Sequence, residues 1–106
     1  MKNNTPIGAG LPIRAVGLPW YRKEDFARLK AMMVDAAKLH DTWPKWHTAA
    51  QQAEEAYRRM GYTVVRAVLI PEDFAAFCHS HGLGFDAQAR TQFASSIAVQ
   101  QHGNTH

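Results

Sequence analysis

The chain has 106 residues, of which 46% are hydrophobic and 20% charged, and its formal net charge is +3. This length and composition indicate one globular domain and exclude both a two-domain protein and a wholly disordered chain. A single cysteine excludes an internal disulfide, and without a secretory signal or an apolar run of ~20 residues we expect a cytoplasmic protein.

The two ends of the chain are polar and rich in turn-forming residues. We predict a mobile arm over residues 1–10 and a frayed tail over 100–106, which leaves 11–99 as a single α+β domain. The first apolar segment, residues 11–17, is long enough for a short strand. Pro12 near its start favours a position at the edge of a sheet.

The next segment predicts a first helix from about Lys23 to Lys38. Acidic residues in its first turn, Glu24 and Asp25, suit the positive end of the helix dipole. One apolar stripe recurs at helical spacing, and it consists of Phe26, Leu29, Met33 and Ala37.

A second helix is the clearest predicted element, beginning between Thr42 and Pro44 and ending at Met60. Proline is well tolerated in a first helical turn. A narrow apolar seam follows alternating three- and four-residue steps, and its members are Trp43, Trp46, Ala50, Ala53, Tyr57 and Met60. The opposite side is predicted to carry two acid-to-base pairs four residues apart, namely Glu54 with Arg58 and Glu55 with Arg59.

Residues 62–70 are rich in β-branched side chains and predict a strand. Both faces of this strand are largely apolar, so both should contact protein. A strand cannot satisfy its own N–H and C=O groups, so it needs a neighbour. Segment 11–17 is one candidate neighbour, and the same strand of a second copy is the other.

The C-terminal third predicts two more helices. Pro71 ends the strand and can open a third helix, which Gly82 should stop. Asp86 is a good N-cap for a last helix over about 87–99. The predicted fold is therefore α+β, with about four helices and a minimal sheet built around strand 62–70.

Candidate catalytic and metal-binding residues are sparse. Cys78-His79-Ser80-His81 forms one cluster of ligand types, whereas structural zinc sites use about four ligands, usually as two pairs. Cys78 shares an apolar helix side with Phe74 and Phe77, which favours a buried thiol over a nucleophile. We find no catalytic motif and therefore expect no enzyme activity, no metal and no cofactor.

Four basic residues are candidate nucleic-acid contacts, and they are Arg22, Lys23, Arg66 and Arg90. The first two adjoin Trp20-Tyr21, and a basic segment next to aromatic residues is typical of single-strand binding. Packing at the start of the first helix is the competing and favoured interpretation. For Arg66 we likewise favour an ion-paired or edge-exposed strand residue over a base contact.

The order strand 62–70, Pro71, helix, Gly82, helix resembles the ribbon–helix–helix family of dimeric DNA-binding proteins. The resemblance covers about 63–99, and it implies that strands of two copies pair and present side chains to the major groove. A second two-helix interpretation is a helix–turn–helix formed by 72–81 and 87–99. Its recognition helix would offer Gln88, Arg90, Thr91 and Gln92.

The C-terminal half also resembles a group of small, uncharacterised bacterial proteins. The resemblance covers about a third of the chain and implies a recurring unit, with no activity attached. The similar positions are Gly61, Val64-Val65-Arg66, Ile70-Pro71, Phe74, Phe77-Cys78, Gly82, Asp86-Ala87, Ala89-Arg90 and Phe93-Ala94.

These features together predict a small, non-enzymatic protein-interaction module whose partner is a second copy or another protein, and not a membrane. The prediction depends on a strand with two apolar faces and few neighbours within the chain. The candidate interface residues are Tyr62, Val64, Val68, Trp43 and Trp46. The alternative is a DNA-binding regulator of ribbon–helix–helix-like or helix–turn–helix type.

Overall fold

The computed structural model describes residues 14–103, and within that range the chain forms two β-strands and four α-helices. This confirms the predicted α+β class. The elements in chain order are β1 Ala15–Trp20, α1 Phe26–Met32, α2 Trp43–Arg59, β2 Thr63–Val68, α3 Pro71–His81 and α4 Ala87–Ala98. The predicted arm 1–10 lies outside the described residues, whereas the start of the predicted tail is a π-helical turn, Val99–Gly103, that continues α4.

The strands β1 and β2 pair in parallel, with Ala15 opposite Thr63 and Trp20 opposite Val68. Parallel strands cannot be joined by a tight turn, and here α1 and α2 form the crossover. The strand predicted at 62–70 is thus present and finds its neighbour within the chain. That neighbour is 15–20 and not 11–17, because the ladder continues to Trp20, whose carbonyl accepts a bond from the N–H of Leu69 at 2.9 Å. Residues 11–13 lie outside the described range.

Helices cover both faces of this small sheet. Successive residues of a strand point to opposite faces, so Val65 and Ala67 lie on one face and Arg66 on the other. The first face packs against α4, and both valine and alanine are buried there. The second face packs against α2, through Glu54 bonded to Arg66.

Gly17 allows α4 to approach the sheet closely. A Cβ atom at this position would overlap the carbonyl oxygen of Ala94 and lie 3.3 Å from the Cβ of Ala98. Both alanines are themselves buried. These three small residues therefore set the distance between α4 and β1.

The prediction of one continuous helix over Lys23–Lys38 is wrong, because the α-helix in this segment covers only Phe26–Met32. α1 stops just before Met33, whose backbone is extended with φ −80° and ψ 136°. The next N–H, that of Val34, donates to the carbonyl of Phe85 at 2.9 Å. A contact with the C-terminal half thus replaces a helical hydrogen bond. Short 3-10 helices remain on either side of α1, at Lys23–Asp25 and Ala36–Lys38.

Predicted helix ends are confirmed at three places. The hydroxyl of Thr42 accepts a bond from the Lys45 N–H at 3.4 Å at the start of α2. The carboxylate of Asp86 accepts one from the Ala89 N–H at 3.0 Å at the start of α4. α3 ends at Gly82, whose φ of +64° is the left-handed conformation that glycine adopts without strain.

The hydrophobic core lies where the strands end and α1, α2, α3 and α4 converge. Trp46 of α2 is central to this core. The centre of its ring lies 4.6 Å from the ring centre of Tyr21 and 5.3 Å from the ring centre of Trp20. Burying each large apolar side chain contributes about 1.5–3 kcal/mol. The buried cluster consists of Trp20, Tyr21, Phe26, Leu29, Met33, Trp46, Leu69, Phe74, Cys78, Ala89 and Phe93.

Candidate interaction surface

The main-chain groups of β2 alternate between facing β1 and facing away from it. The Thr63 N–H donates to the Arg14 carbonyl at 2.7 Å, and the Leu69 N–H donates to the Trp20 carbonyl at 2.9 Å. In a parallel ladder, residues two apart bond to the same neighbour, so the odd-numbered residues of β2 face β1. The residues whose N–H and C=O groups face away from β1, which we call the open edge, are Val64, Arg66 and Val68.

Local hydrogen bonds close both ends of the open edge. The N–H of Tyr62 donates to the carbonyl of Tyr57 at 3.0 Å, and the carbonyl of Ile70 accepts from the Phe74 N–H at 2.9 Å. Among residues 14–103, no hydrogen bond engages the outward main-chain groups of the open edge. The unpaired groups are therefore confined to three residues, with Arg66 at the centre.

The side chains of the open edge leave it accessible. Val68 is 39% exposed, Arg66 is also exposed, and Val64 is half-buried. Proteins usually protect an exposed edge strand with proline, with charge or with a covering element. Here the open edge contains no proline, and its one charge is bound to α2.

The opposite edge of the sheet, along β1, is less suited to accept a strand. Its outward-facing residues are Ala15, Gly17 and Pro19, by the same alternation. Pro19 has no N–H group, so an added strand would lose one donor there. The edge that offers a full set of donors and acceptors is therefore that of β2.

Arg66 is fixed against α2 by a charge-assisted pair of hydrogen bonds. Its guanidinium donates to both carboxylate oxygens of Glu54, at 2.7 and 2.9 Å. It also lies 4.1 Å from the centre of the Trp20 ring, which is a cation–π distance. Because Trp20 belongs to β1, the guanidinium leans toward β1 and away from the open edge.

Glu54 is the buried centre of this cluster and is only 3% exposed. Besides Arg66, it accepts a bond from Arg58 at 3.2 Å. The hydrogen bonds from Arg66 hold the pKa of the Glu54 carboxyl below its ordinary value of 4.5. Two guanidinium groups oppose one carboxylate, so the cluster has a net positive charge.

Arg90, predicted as a nucleic-acid contact, lies inside the protein and is 8% exposed. Its guanidinium donates to both oxygens of Asp35, at 2.9 and 3.1 Å. These hydrogen bonds lower the pKa of the Asp35 carboxyl. Because Arg90 is enclosed, it does not present its charge to a nucleic acid in this structure.

The other three predicted nucleic-acid contacts are exposed, with Arg22 next to Lys23 in the chain and Arg66 far from both, in β2. Arg22 is engaged by Asp25, with Nε 2.6 Å from a carboxylate oxygen. Lys23 is exposed at the start of the 3-10 turn before α1. Arg66 is bound to Glu54 as described. Two of these three cations are thus partly neutralised.

The structure separates the five predicted interface residues into two groups. Val64 and Val68 lie on the open edge, and half-buried Tyr62 adjoins it, with the Arg14 guanidinium 4.5 Å from its ring centre. Trp43 and Trp46 instead belong to the packing of α2. Trp46 is buried in the core, and Trp43 donates from Nε1 to the carbonyl of Tyr21 at 2.8 Å.

The cysteine and histidine cluster occupies α3. Cys78 is buried, and this burial raises the pKa of its thiol. His81 lies at the exposed end of α3, with Nδ1 2.9 Å from the carbonyl of Phe77. Within residues 14–103, no three His, Cys, Asp or Glu side chains lie close enough together to hold a metal ion. In the same range, no helix combines the length and apolar character needed to cross a membrane.

Two features of this surface are not predicted by the sequence analysis. The first is the burial of Glu54, which the sequence predicts only to lie on the side of the second helix opposite its apolar seam. The sequence does contain a signal for this burial. Trp46, Ala50 and Glu54 follow one another at four-residue steps and so share one side of the helix, and Arg66 is the one charged residue in segment 62–70 that could pair with Glu54. The second is the open edge itself, which depends on the register of the strands and has no sequence signal.

Comparison with known proteins does not assign a function to this surface. No protein-family model matches the chain, and neither the curated proteins nor the solved structures give a significant match. The resemblances to ribbon–helix–helix proteins and to small bacterial proteins therefore stay predictions.

Proposed function

We propose that this chain is a protein-binding module that takes an extended segment of its partner as an added strand at the open edge of β2. The observation that carries the proposal is the row of unpaired N–H and C=O groups at Val64, Arg66 and Val68. In strand addition, main-chain hydrogen bonds supply affinity, and the side chains that flank them supply specificity.

The surroundings of the open edge favour this mode of binding over a groove or a flat patch. Helices α2 and α4 already cover the two faces of the sheet, so a partner reaches β2 from the side. The strand is held in its extended form by β1, which lowers the ordering cost of binding. Each new main-chain hydrogen bond contributes about 0.5–1.5 kcal/mol net.

DNA binding is the alternative proposal, and it has weaker support. The net charge is +3, but Arg90 is enclosed, and Arg22 and Arg66 bind carboxylates. Phosphate contacts require cations that are available to the backbone of the nucleic acid. Of the four predicted contacts, only Lys23 is both exposed and without an ion pair among residues 14–103.

The test uses peptides selected on the intact protein from a random phage-displayed library. Bound peptides should shift and protect the backbone amides of Val64, Arg66 and Val68, measured by NMR and hydrogen exchange. Val68→Pro removes one outward N–H without removing a bond to β1, so it should weaken peptide binding about tenfold or more.

Val68→Thr is the matched control, because it keeps both the N–H group and a β-branched side chain. It should bind the same peptides nearly as well as the native chain. Thermal unfolding of both variants establishes that they are folded. The proposal is wrong if the selected peptides perturb another surface, or if Val68→Pro binds them as tightly as Val68→Thr.

A further inference from the structure

We infer that the strand taken up at the open edge is β2 of a second copy, paired antiparallel about a twofold axis at Arg66. This inference rests on the proposed function, because it names the partner for the same edge. Closed homodimers are usually twofold, with the same patch used by both copies. A twofold axis perpendicular to the sheet relates two edge strands in the antiparallel sense.

The placement of the axis follows from which main-chain groups are unpaired. An axis at Arg66 sets Val64 opposite the partner's Val68 and Arg66 opposite the partner's Arg66. Each opposed pair of this kind exchanges two N–H···O bonds, so every group of the open edge finds a partner. An axis at residue 65 or 67 would leave groups unpaired, since the Tyr62 N–H and the Ile70 carbonyl are already bonded within the chain.

The side chains suit this register. Val64 and Val68 meet twice across the axis, and β-branched cross-strand pairs of this kind are stabilising. Two arginines directly opposite would ordinarily repel. Here Glu54 accepts two hydrogen bonds from Arg66, and the Trp20 ring draws the guanidinium toward β1 and away from the axis, which weakens this repulsion.

The helices also fit a four-stranded sheet with the order β1, β2, β2, β1. Adjacent strands lie ~4.8 Å apart, so a helix centred over each two-stranded half lies roughly 10 Å from its twofold mate, near the usual packing distance of helices. α2 is such a helix, because it contacts Trp20 of β1 and Arg66 of β2. The dimer would therefore gain a helix–helix contact in addition to the strand pairing.

Disulfide formation tests both the partner and the register. Separate Val64→Cys and Val68→Cys proteins are mixed and oxidised gently, with the intact native chain as the reference for buried Cys78. The mixture should give at least tenfold more covalent dimer than either variant alone. Positions 64 and 68 are opposed in the dimer, whereas two copies of the same position lie about 13 Å apart, too far for a disulfide.

Val34→Cys is the control for random collision, because Val34 is 77% exposed and lies far along the chain from the open edge. Sedimentation gives the second measurement: Val68→Lys should raise the dimer dissociation constant roughly tenfold, and Val34→Lys should leave it unchanged.

Cross-linking no greater than with Val34→Cys, in a chain that sediments as a monomer, would overturn the inference. If selected peptides still bind at the open edge in that case, the proposed function stands and only the identity of the partner is wrong. Efficient cross-linking of Val64→Cys with itself would overturn the register.

Discussion

Arg90 of α4 and Asp35 form a bidentate ion pair across the protein, with N–O distances of 2.9 and 3.1 Å. Asp35 lies in the segment that interrupts the predicted first helix, between Met33 and the 3-10 turn Ala36–Lys38. The pair thus connects the crossover between the strands to the last helix. Removing one partner of such a buried pair leaves the other charge unpaired, which costs more than the pair contributes.

We therefore expect Arg90→Met to lower the free energy of unfolding by about 3 kcal/mol, measured by urea denaturation. The double variant Asp35→Leu with Arg90→Met should recover most of this loss, because no charge is left buried. Arg28→Met is the control, since its ion pair with Glu72 lies on the surface and should matter little. A loss in Arg28→Met equal to that in Arg90→Met would contradict this account.

Gly17→Ala should destabilise the fold, because its new methyl group would overlap the carbonyl of Ala94 and push α4 away from the sheet. The expected loss is about 1–3 kcal/mol in the free energy of unfolding, typical of overpacking. Gly84→Ala is the matched control, since its Cβ would make only an ordinary 3.7 Å contact with Asp86. Thermal and urea unfolding of the two variants give the comparison, and equal stability would refute the close approach.

The Glu54 carboxyl predicts how stability depends on pH. Its folded pKa lies below its ordinary value of 4.5, so the unfolded state takes up a proton first as pH falls. This stabilisation is present above 4.5 and is lost as pH drops through the folded pKa. Glu54→Gln should therefore flatten the acid limb of a plot of unfolding free energy against pH, and an acid limb as steep as that of the native chain would contradict this account.

Salt dependence separates the dimer from DNA binding. The dimer brings together two clusters of Glu54, Arg58 and Arg66, each with a net positive charge, from chains of charge +3. Raising NaCl from about 50 to about 500 mM screens this repulsion, so sedimentation should show a lower dimer dissociation constant. Binding to duplex DNA would weaken over the same range. Arg58→Gln should reduce the effect of salt on the dimer.

Local signals in the sequence predict the element types well. Thr42, Pro71, Gly82 and Asp86 act where capping and turn preferences place them, because these effects depend on residues only a few positions apart. The strand at 62–70 is likewise predicted by its own composition. The class of the fold follows from such local information.

The errors concern contacts between distant parts of the chain. Met33 leaves the helix because Val34 bonds to Phe85, and Arg90 is buried because Asp35 reaches it. Both contacts join residues that are far apart in the sequence, and helical periodicity reports only on residues a few positions apart. It therefore does not predict either contact. The open edge of β2 is a consequence of strand register, which one strand alone does not determine.

The parallel register has a consequence for how the chain reaches its fold. Every residue of β1 pairs with one 48 positions further along, so β1 is synthesised before the strand with which it pairs. Such distant pairing slows folding, since the intervening loop must be closed first. β1 is also short and contains Pro19, which limits its capacity to pair with another chain before β2 is available.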